Sequence, residues 1–191
     1  MTTVCLIRHG ETDWNAAQRI QGRQDIALNA KGKEQAQKCG HYLQEQDIQW
    51  EVIISSPLSR AKETATIIAT ALNLNEVIVH DSFIERDFGK ASGLTKAEAD
   101  RKYPNRSIPD IEDFEELQQR GLAGMNEILE QYQDKHVIVV AHGALINAML
   151  HALSNGKVGS GQTTLHNACL NVLYHDREWT IREYNCISHL E

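Results

Sequence analysis

Short apolar runs alternate with longer amphipathic stretches along most of the chain. Continuous apolar runs at 4–7 and 137–141 are typical of strands buried in a parallel sheet. The stretches between such runs carry apolar residues three or four positions apart, the spacing of one helix face. We predict strands over 4–7, 51–55, 77–79 and 137–141, helices over 30–46, 57–72, 112–131 and 144–153, and a hairpin of strands over 169–174 and 179–184.

Strand followed by helix, repeated along the chain, predicts the fold class. Such alternation is typical of an α/β protein in which helices cover both faces of the sheet. We therefore expect a three-layer α/β/α sandwich with a mainly parallel sheet. Since domains average roughly 150 residues, the length of 191 residues predicts one domain over 1–191.

Composition and charge exclude several classes of function. The chain has 26 acidic and 19 basic residues, a formal charge of −7, which disfavours general binding to nucleic acid or an anionic membrane. No apolar run is long enough to cross a bilayer, and no signal peptide is evident, so we expect a cytoplasmic protein. The four cysteines are widely spaced, which is typical of thiols that stay reduced in the cytosol. The pattern leaves the oligomeric state open.

Five polar side chains follow the predicted strands. Arg8 and His9 come after the first strand, Arg60 one turn after the second, Glu85 after the third, and His142 after the fourth. Because parallel strands end at the same edge of a sheet, and ligands bind there, we expect these side chains to converge.

The chemistry of these residues indicates a phosphate ester as ligand. Each of the two guanidinium groups can form paired hydrogen bonds to phosphate oxygens. Gly10 and Gly143, which have no Cβ, would let a ligand approach the backbone and its amides. A neutral His9, its pKa lowered by neighbouring cations, can attack phosphorus. Glu85 can supply the proton for the leaving alkoxide, and His142 can donate a hydrogen bond to the transferring group.

The sequence Leu6-Ile-Arg-His-Gly-Glu-Thr12 resembles the Arg-His-Gly-Glu/Ser signature of the histidine phosphatase superfamily, which includes the cofactor-dependent phosphoglycerate mutases. The resemblance continues in order along the chain, at 14–15, 21–22, 25, 28–29, 55–61, 64–65, 85–89 and 140–143. One such motif alone is weak, but four ordered motifs at predicted strand ends are a strong signal.

The resemblance implies a role for each matching residue. It makes His9 the phosphorylated nucleophile and Glu85 the proton donor and acceptor, within a phosphoglycerate mutase-like fold. It implies a phosphate pocket formed with Arg8, Arg60 and His142, and further substrate contacts from Asn15, Gln21 and Gly22. It implies no metal ion and no other cofactor, and a small phosphomonoester as partner.

The superfamily contains mutases and phosphatases, and the chain is more similar to the latter. Only 57 positions separate Glu85 from His142, so the long basic insertion of the sugar-acid mutases is missing. The segment 110–116 is acidic, and near the mouth of the site it would disfavour a bisphosphate intermediate. The motif Glu85-Arg-Asp-Phe-Gly89 and the ending Asn185-Cys-Ile-Ser-His-Leu190 look most like those of the broad-specificity PhoE-type phosphatases of bacilli.

Three alternatives remain open at this point. An α-ribazole phosphatase would share the Phe88-Gly-Lys-Ala-Ser-Gly93 pattern, but such enzymes usually have Trp-Glu where this chain has Ala91-Ser92. A phosphoglycerate mutase and a catalytically silent phosphate-binding module are the other two.

Three further predictions concern single segments. Phe88 is predicted to lie in the core, and 155–163 to be a flexible turn. The loop 90–105 is predicted to carry substrate specificity, by means that the sequence does not define.

Overall fold

One sheet of six strands, in the order β3-β2-β4-β1-β5-β6, forms the centre of the protein in the computed structural model, which describes residues 1–191. The strands are β1 (Thr2–Arg8), β2 (Val52–Ser55), β3 (Ile78–Val79), β4 (His136–Ala141), β5 (Leu170–His175) and β6 (Trp179–Cys186). The first four are parallel to one another, whereas β5 is antiparallel to β1, and β6 to β5. The predicted mainly parallel sheet with a hairpin near its end is confirmed.

The chain has six α-helices, of which the four long ones cover the faces of this sheet. They are α1 (Asp13–Ala16), α2 (Ala30–Glu45), α3 (Ser59–Ala71), α4 (Lys96–Lys102), α5 (Phe114–Gln131) and α6 (Gly143–Leu153). The four long helices agree with the prediction. The two short ones were not predicted, although each begins with a capping box, at Thr12 and at Thr95. None of the helices is long and apolar enough to cross a membrane.

Two separate hydrophobic clusters pack against the two faces of the sheet, as β1 illustrates. Val4 and Leu6 belong to the cluster that contains residues of α5 and α6. Cys5 and Ile7 point the other way, into the cluster that contains residues of α2 and α3. All four side chains are fully buried, and full burial of an aliphatic side chain stabilises the fold by about 1.5–3 kcal/mol. The alternation therefore builds the predicted three layers.

The pairing of the central strands fixes where the polar residues lie. Arg8 is paired with Ala141, the last residue of β4, and Ser55 with Val140. The strands β1, β2 and β4 therefore end at one edge of the sheet, and the residues that follow each strand meet there.

The segment between β3 and α5 folds across this edge. It contains 3₁₀ turns at Asp81–Phe83, Gly89–Ala91 and Pro104–Arg106, together with α4. Two backbone hydrogen bonds fasten it to the loop after α1: Ile20 N donates to Leu94 O, and Gly93 N to Ile20 O, both at 2.8 Å. This stretch, which has no predicted strand or helix before α5, thus builds walls beside the strand ends.

Candidate active site

A cavity of about 280 Å³ opens at the edge where β1 and β4 end. Its walls consist of Arg8, His9, Asn15, Arg19, Ile20, Gln21, Gly22, Arg60, Glu85, Phe88, Gly143, Ala144, Asn147, Thr163, Thr164 and Leu165. Of the ten residues that we predicted from the sequence, only Gly10 and His142 are not on these walls. Four separate segments of the chain therefore converge on one cavity.

The imidazole of His9 is held in one orientation. Its Nδ1 lies 2.7 Å from Gly10 O, and because a carbonyl only accepts, Nδ1 carries the proton. Its Nε2 keeps the lone pair and accepts a hydrogen bond from Arg60 Nε at 3.2 Å. Burial, and secondarily the charges of Arg60 and Arg8, lower the pKa of His9 well below 6.5. The predicted direction of this shift is confirmed, with burial as the larger cause.

Two guanidinium groups supply the positive charge of the cavity. Arg60 is almost fully buried, and it donates from Nη1 to Gln24 O at 2.7 Å and from Nη2 to Gly22 O at 2.8 Å. Burial lowers the pKa of Arg60 to about 10, so it stays charged at neutral pH. Arg8 donates from Nη1 to Leu165 O, and its buried Nε has no partner. No group of three or more His, Cys, Asp or Glu side chains is arranged to hold a metal ion.

Glu85 is anchored by the first turn of α6. Its Oε1 accepts hydrogen bonds from the backbone amides of Arg86 at 2.8 Å and Leu145 at 3.1 Å. Its Oε2 accepts only one, from Ala144 N at 3.2 Å. Three amides thus fix the carboxyl group on the cavity wall, and Oε2 keeps a lone pair that can exchange a proton.

Arg120, on α5, holds the loop that carries Glu85. Its Nη1 donates to Ser82 O and Ile84 O, and its Nη2 to Glu85 O at 3.1 Å. The carboxylate of Glu112 accepts from its Nε at 2.6 Å and fixes the guanidinium in turn. Sequence reasoning missed this residue, since a single arginine in a helix 35 positions from Glu85 gives no signal of a loop contact.

His142 lies behind the cavity wall and is fully buried. Its ring centre is 5.2 Å from that of His9, and its Nε2 is 2.6 Å from Ser56 Oγ. When the Ser56 hydroxyl donates to Nε2, the proton is on Nδ1, which has no hydrogen-bond partner in the protein. In this tautomer, His142 has an N–H donor that lacks a partner in the protein, on a ring that lies beside His9.

Gly10 differs from its prediction. Its amide donates to Thr64 Oγ1 at 3.1 Å, so it is not available to a phosphoryl oxygen. A Cβ at Gly10 would lie 2.3 Å from Gly32 O, which shows that glycine is needed where α2 begins against the end of β1. Gly143, in contrast, is on the cavity wall as predicted.

A small polar network supports the wall on the side of α1. Asn15 Oδ1 accepts from Thr12 N at 3.1 Å, and Gln21 Oε1 accepts from the Thr12 hydroxyl at 2.8 Å. Asn167 Nδ2 joins the same Asn15 oxygen to His9 O, at 3.2 and 3.1 Å. Asn167 was not predicted, because it lies far along the chain in a loop without a motif.

Two further expectations are corrected by the structure. Phe88 is half-buried on the cavity wall and not in the core. The acidic segment 110–116 does not line this cavity, and two of its carboxylates make contacts within the fold. Glu112 pairs with Arg120, and Asp113 caps α5 by accepting from Glu115 N at 2.8 Å.

The sequence of the chain is similar to those of known proteins. A profile of the histidine phosphatase superfamily (branch 1) matches residues 4–187, so the chain belongs to that superfamily. It is 45% identical to the phosphatase PhoE of Bacillus subtilis (strain 168), over the whole chain and 97% of that protein. It is 34% identical to a metal-independent phosphoserine phosphatase of Arabidopsis thaliana, over the whole chain and 84% of that protein.

A solved structure gives the same result for the fold. A mutant of phosphoserine phosphatase from Entamoeba histolytica, crystallised with phosphoserine, superposes with a TM-score of 0.87. The superposition covers all of both chains at 25% sequence identity. The predicted phosphoglycerate mutase-like fold is thus confirmed.

Proposed function

We propose that this protein hydrolyses small phosphomonoesters in two steps, through a phosphohistidine at His9 and without a metal ion. The observation that carries the proposal is the neutral, oriented imidazole of His9 between Arg8 and Arg60 on the wall of a cavity. A volume of about 280 Å³ is at the low end of ligand sites, roughly 300–1,000 Å³, and favours small esters.

In the first step, Nε2 of His9 attacks phosphorus, and the bond from phosphorus to the ester oxygen breaks. Arg60 Nε, which donates to Nε2 at rest, turns its hydrogen bond to a phosphoryl oxygen and frees the lone pair. Glu85 is the proton donor of this step and gives a proton from Oε2 to the leaving oxygen. The products are the alcohol and a phosphorylated His9.

In the second step, water replaces the alcohol. The Glu85 carboxylate takes a proton from water, the water oxygen bonds to phosphorus, and the bond from phosphorus to Nε2 breaks. Inorganic phosphate leaves, and Glu85 is protonated again. In both steps Arg8, Arg60 and the Nδ1–H of His142 stabilise the charge on the transferring oxygens.

The remaining wall residues would surround the organic part of the ester. Asn15, Gln21 and Gly22 lie on one side of the cavity, and Gly143 lies on the side of α6. A Cβ at Gly143 would come within 3.2 Å of Arg8 Nε, so a side chain there would crowd the guanidinium. Glycine thus leaves room for the phosphoryl group at this position.

The test is a hydrolysis assay with a chelator present, on 4-nitrophenyl phosphate, phosphoserine, 3-phosphoglycerate and α-ribazole phosphate. We expect wild type to release phosphate from several of them and His9→Ala from none, with the exposed His41→Ala as matched control. Acid-labile, base-stable label on the wild-type protein after rapid mixing with ³²P-labelled substrate would identify the phosphohistidine.

The panel also separates the alternatives. Turnover of phosphoserine alone, or of α-ribazole phosphate alone, would replace the broad proposal by a narrow phosphatase. Conversion of 3-phosphoglycerate to its isomer would indicate a mutase. Activity that persists in His9→Ala, or that needs a metal ion, would refute the mechanism.

A further inference from the structure

A second and larger cavity adjoins the catalytic one. Its volume is about 530 Å³, within the usual range for small-molecule sites. Ile20 and Phe88 line both cavities, so the second begins where the first one ends. Its other apolar walls are Ala99, Tyr103, Ile108, Ile111 and Phe114.

Three cationic residues surround these apolar walls. Lys96 and Arg106 are exposed, and the only acidic residue that lines the cavity is Asp100. Arg86 lies 5.7 Å from the ring centre of Phe88, and its Nε and Nη2 donate to the carbonyl oxygen of Glu112. In a chain with a net charge of −7, this excess of positive charge is local.

Arg86 lines this cavity as its third cationic residue. Its guanidinium also lies 5.9 Å from the ring centre of Phe114, so two aromatic rings lie near it. Since Nε and Nη2 both bond to one carbonyl oxygen, Nη1 is left without a hydrogen-bond partner in the protein. An apolar wall with a fixed cationic donor suits a ligand that is apolar along its body and acidic at one end.

We infer that the second cavity is the subsite for the leaving group, and that it takes an aromatic ring bearing an acidic substituent such as a carboxylate. The inference rests on the proposed function, because the ester bond would lie in the catalytic cavity. An organic group larger than the catalytic cavity must extend past Ile20 and Phe88, and there it meets apolar walls and cations. Lys96, Arg106 and Arg86 would then bind the substituent, which makes the site selective for esters that carry a second anionic group in addition to the phosphate.

The test compares two esters that differ in one charged group. These are 4-(carboxymethyl)phenyl phosphate and the corresponding amide, in which an uncharged carboxamide replaces the carboxylate. The leaving groups of the two esters are nearly the same in size and basicity. We expect wild type to prefer the acid in kcat/KM by about fivefold or more, as for an ion pair near the surface. Lys96→Gln/Arg106→Gln, which leaves Arg86 in place, should lower this ratio about twofold or more, and kcat/KM for the amide should change much less than kcat/KM for the acid.

The matched control is Lys90→Gln/Arg101→Gln, which removes two exposed charges nearby from residues that do not line the cavity. It should keep the preference of wild type. A wild-type ratio of one, a ratio that survives in the cavity variant, or an equal loss in the control would overturn the inference.

The same comparison by binding separates this inference from the proposed function. Calorimetry of both esters with His9→Ala measures the preference without turnover. If phenyl phosphate is not hydrolysed by wild type, the proposed function fails, while tighter binding of the acid that depends on Lys96 and Arg106 still supports the subsite. Equal binding of acid and amide refutes the subsite whether or not the esters are hydrolysed.

Discussion

Burial of two neutral histidines makes the stability of this protein depend on pH. His9 and His142 are 2% and 0% exposed, and burial is the largest cause that lowers the pKa of each well below 6.5. In the unfolded chain both titrate near 6.5. Below that pH the unfolded state therefore binds protons that the folded state does not, and the free energy of unfolding decreases as the pH falls.

The titration of the unfolded state sets the upper limit of the effect, which is reached when both buried histidines stay neutral in the folded protein over this pH range. At pH 5.5 each histidine of the unfolded chain is about nine-tenths protonated, while the buried sites stay neutral. Between pH 7.5 and 5.5 each histidine then costs a little over 1 kcal/mol of stability, and the pair costs about 3 kcal/mol. This is a large share of the total stability of a typical protein, about 5–15 kcal/mol.

Urea unfolding followed by tryptophan fluorescence measures this difference. We expect His9→Gln/His142→Gln to lose about 3 kcal/mol less than wild type between pH 7.5 and 5.5. The control His41→Gln/His166→Gln removes two exposed histidines and should behave like wild type. Other groups that titrate in this range are the same in wild type and in the first variant, so their contributions cancel.

Equal pH dependence in wild type and in the buried-histidine variant would refute the reasoning. The histidines would then take up protons inside the folded protein. His9 would lose its lone pair in mild acid, and the argument for a neutral nucleophile would fail with it.

Three substitutions test other parts of the structure. Glu85→Gln should lower kcat/KM, which reports the phosphorylation of His9, about 100-fold or more for alkyl phosphates and much less for 4-nitrophenyl phosphate, whose leaving group needs no proton; equal losses in kcat/KM would argue against a proton donor. Gly10→Ala should lower the free energy of unfolding by about 2 kcal/mol or more, because the Cβ of the alanine would lie 2.3 Å from Gly32 O. The control Gly161→Ala has open space around the new Cβ and should cost only about 1 kcal/mol of backbone strain. Thermal unfolding measures both. Arg120→Met should lower kcat about tenfold, since the loop that carries Glu85 loses its charged donor. Arg120→Lys, which keeps a charged donor, should restore part of kcat. An unchanged kcat in Arg120→Met would show that the loop keeps its shape without this residue.

The sequence was most informative where backbone geometry leaves little choice. Parallel strands must end at a common edge, so apolar runs followed by Arg8, His9 and His142 are sufficient to predict where the cavity lies. The deeper position of His142 could not be predicted, because it depends on how far the side chain packs beneath His9.

Contacts between distant segments left no pattern in the sequence. The amide of Gly10 is taken by Thr64, which lies 54 positions away, and only the packing of α2 and α3 brings them together. The hydrogen bond from Arg120 to the loop that carries Glu85 also joins segments that are far apart in the sequence. The short helix α4 did have a local signal, a threonine followed three positions later by glutamate, and a search for capping boxes would have found it.

The two cavities draw on different stretches of the chain, and this has a consequence for how the protein can diversify. Eight of the eleven residues that line the second cavity lie within 96–114, and none of those eight lines the catalytic cavity. Mutations of these eight residues, which leave Glu112 and its contact with Arg120 unchanged, can reshape the second cavity while the strand ends that carry His9 and His142 stay as they are. In evolution, or in a library confined to a single short cassette of the gene, new binding preferences can therefore be sampled without rebuilding the reaction centre.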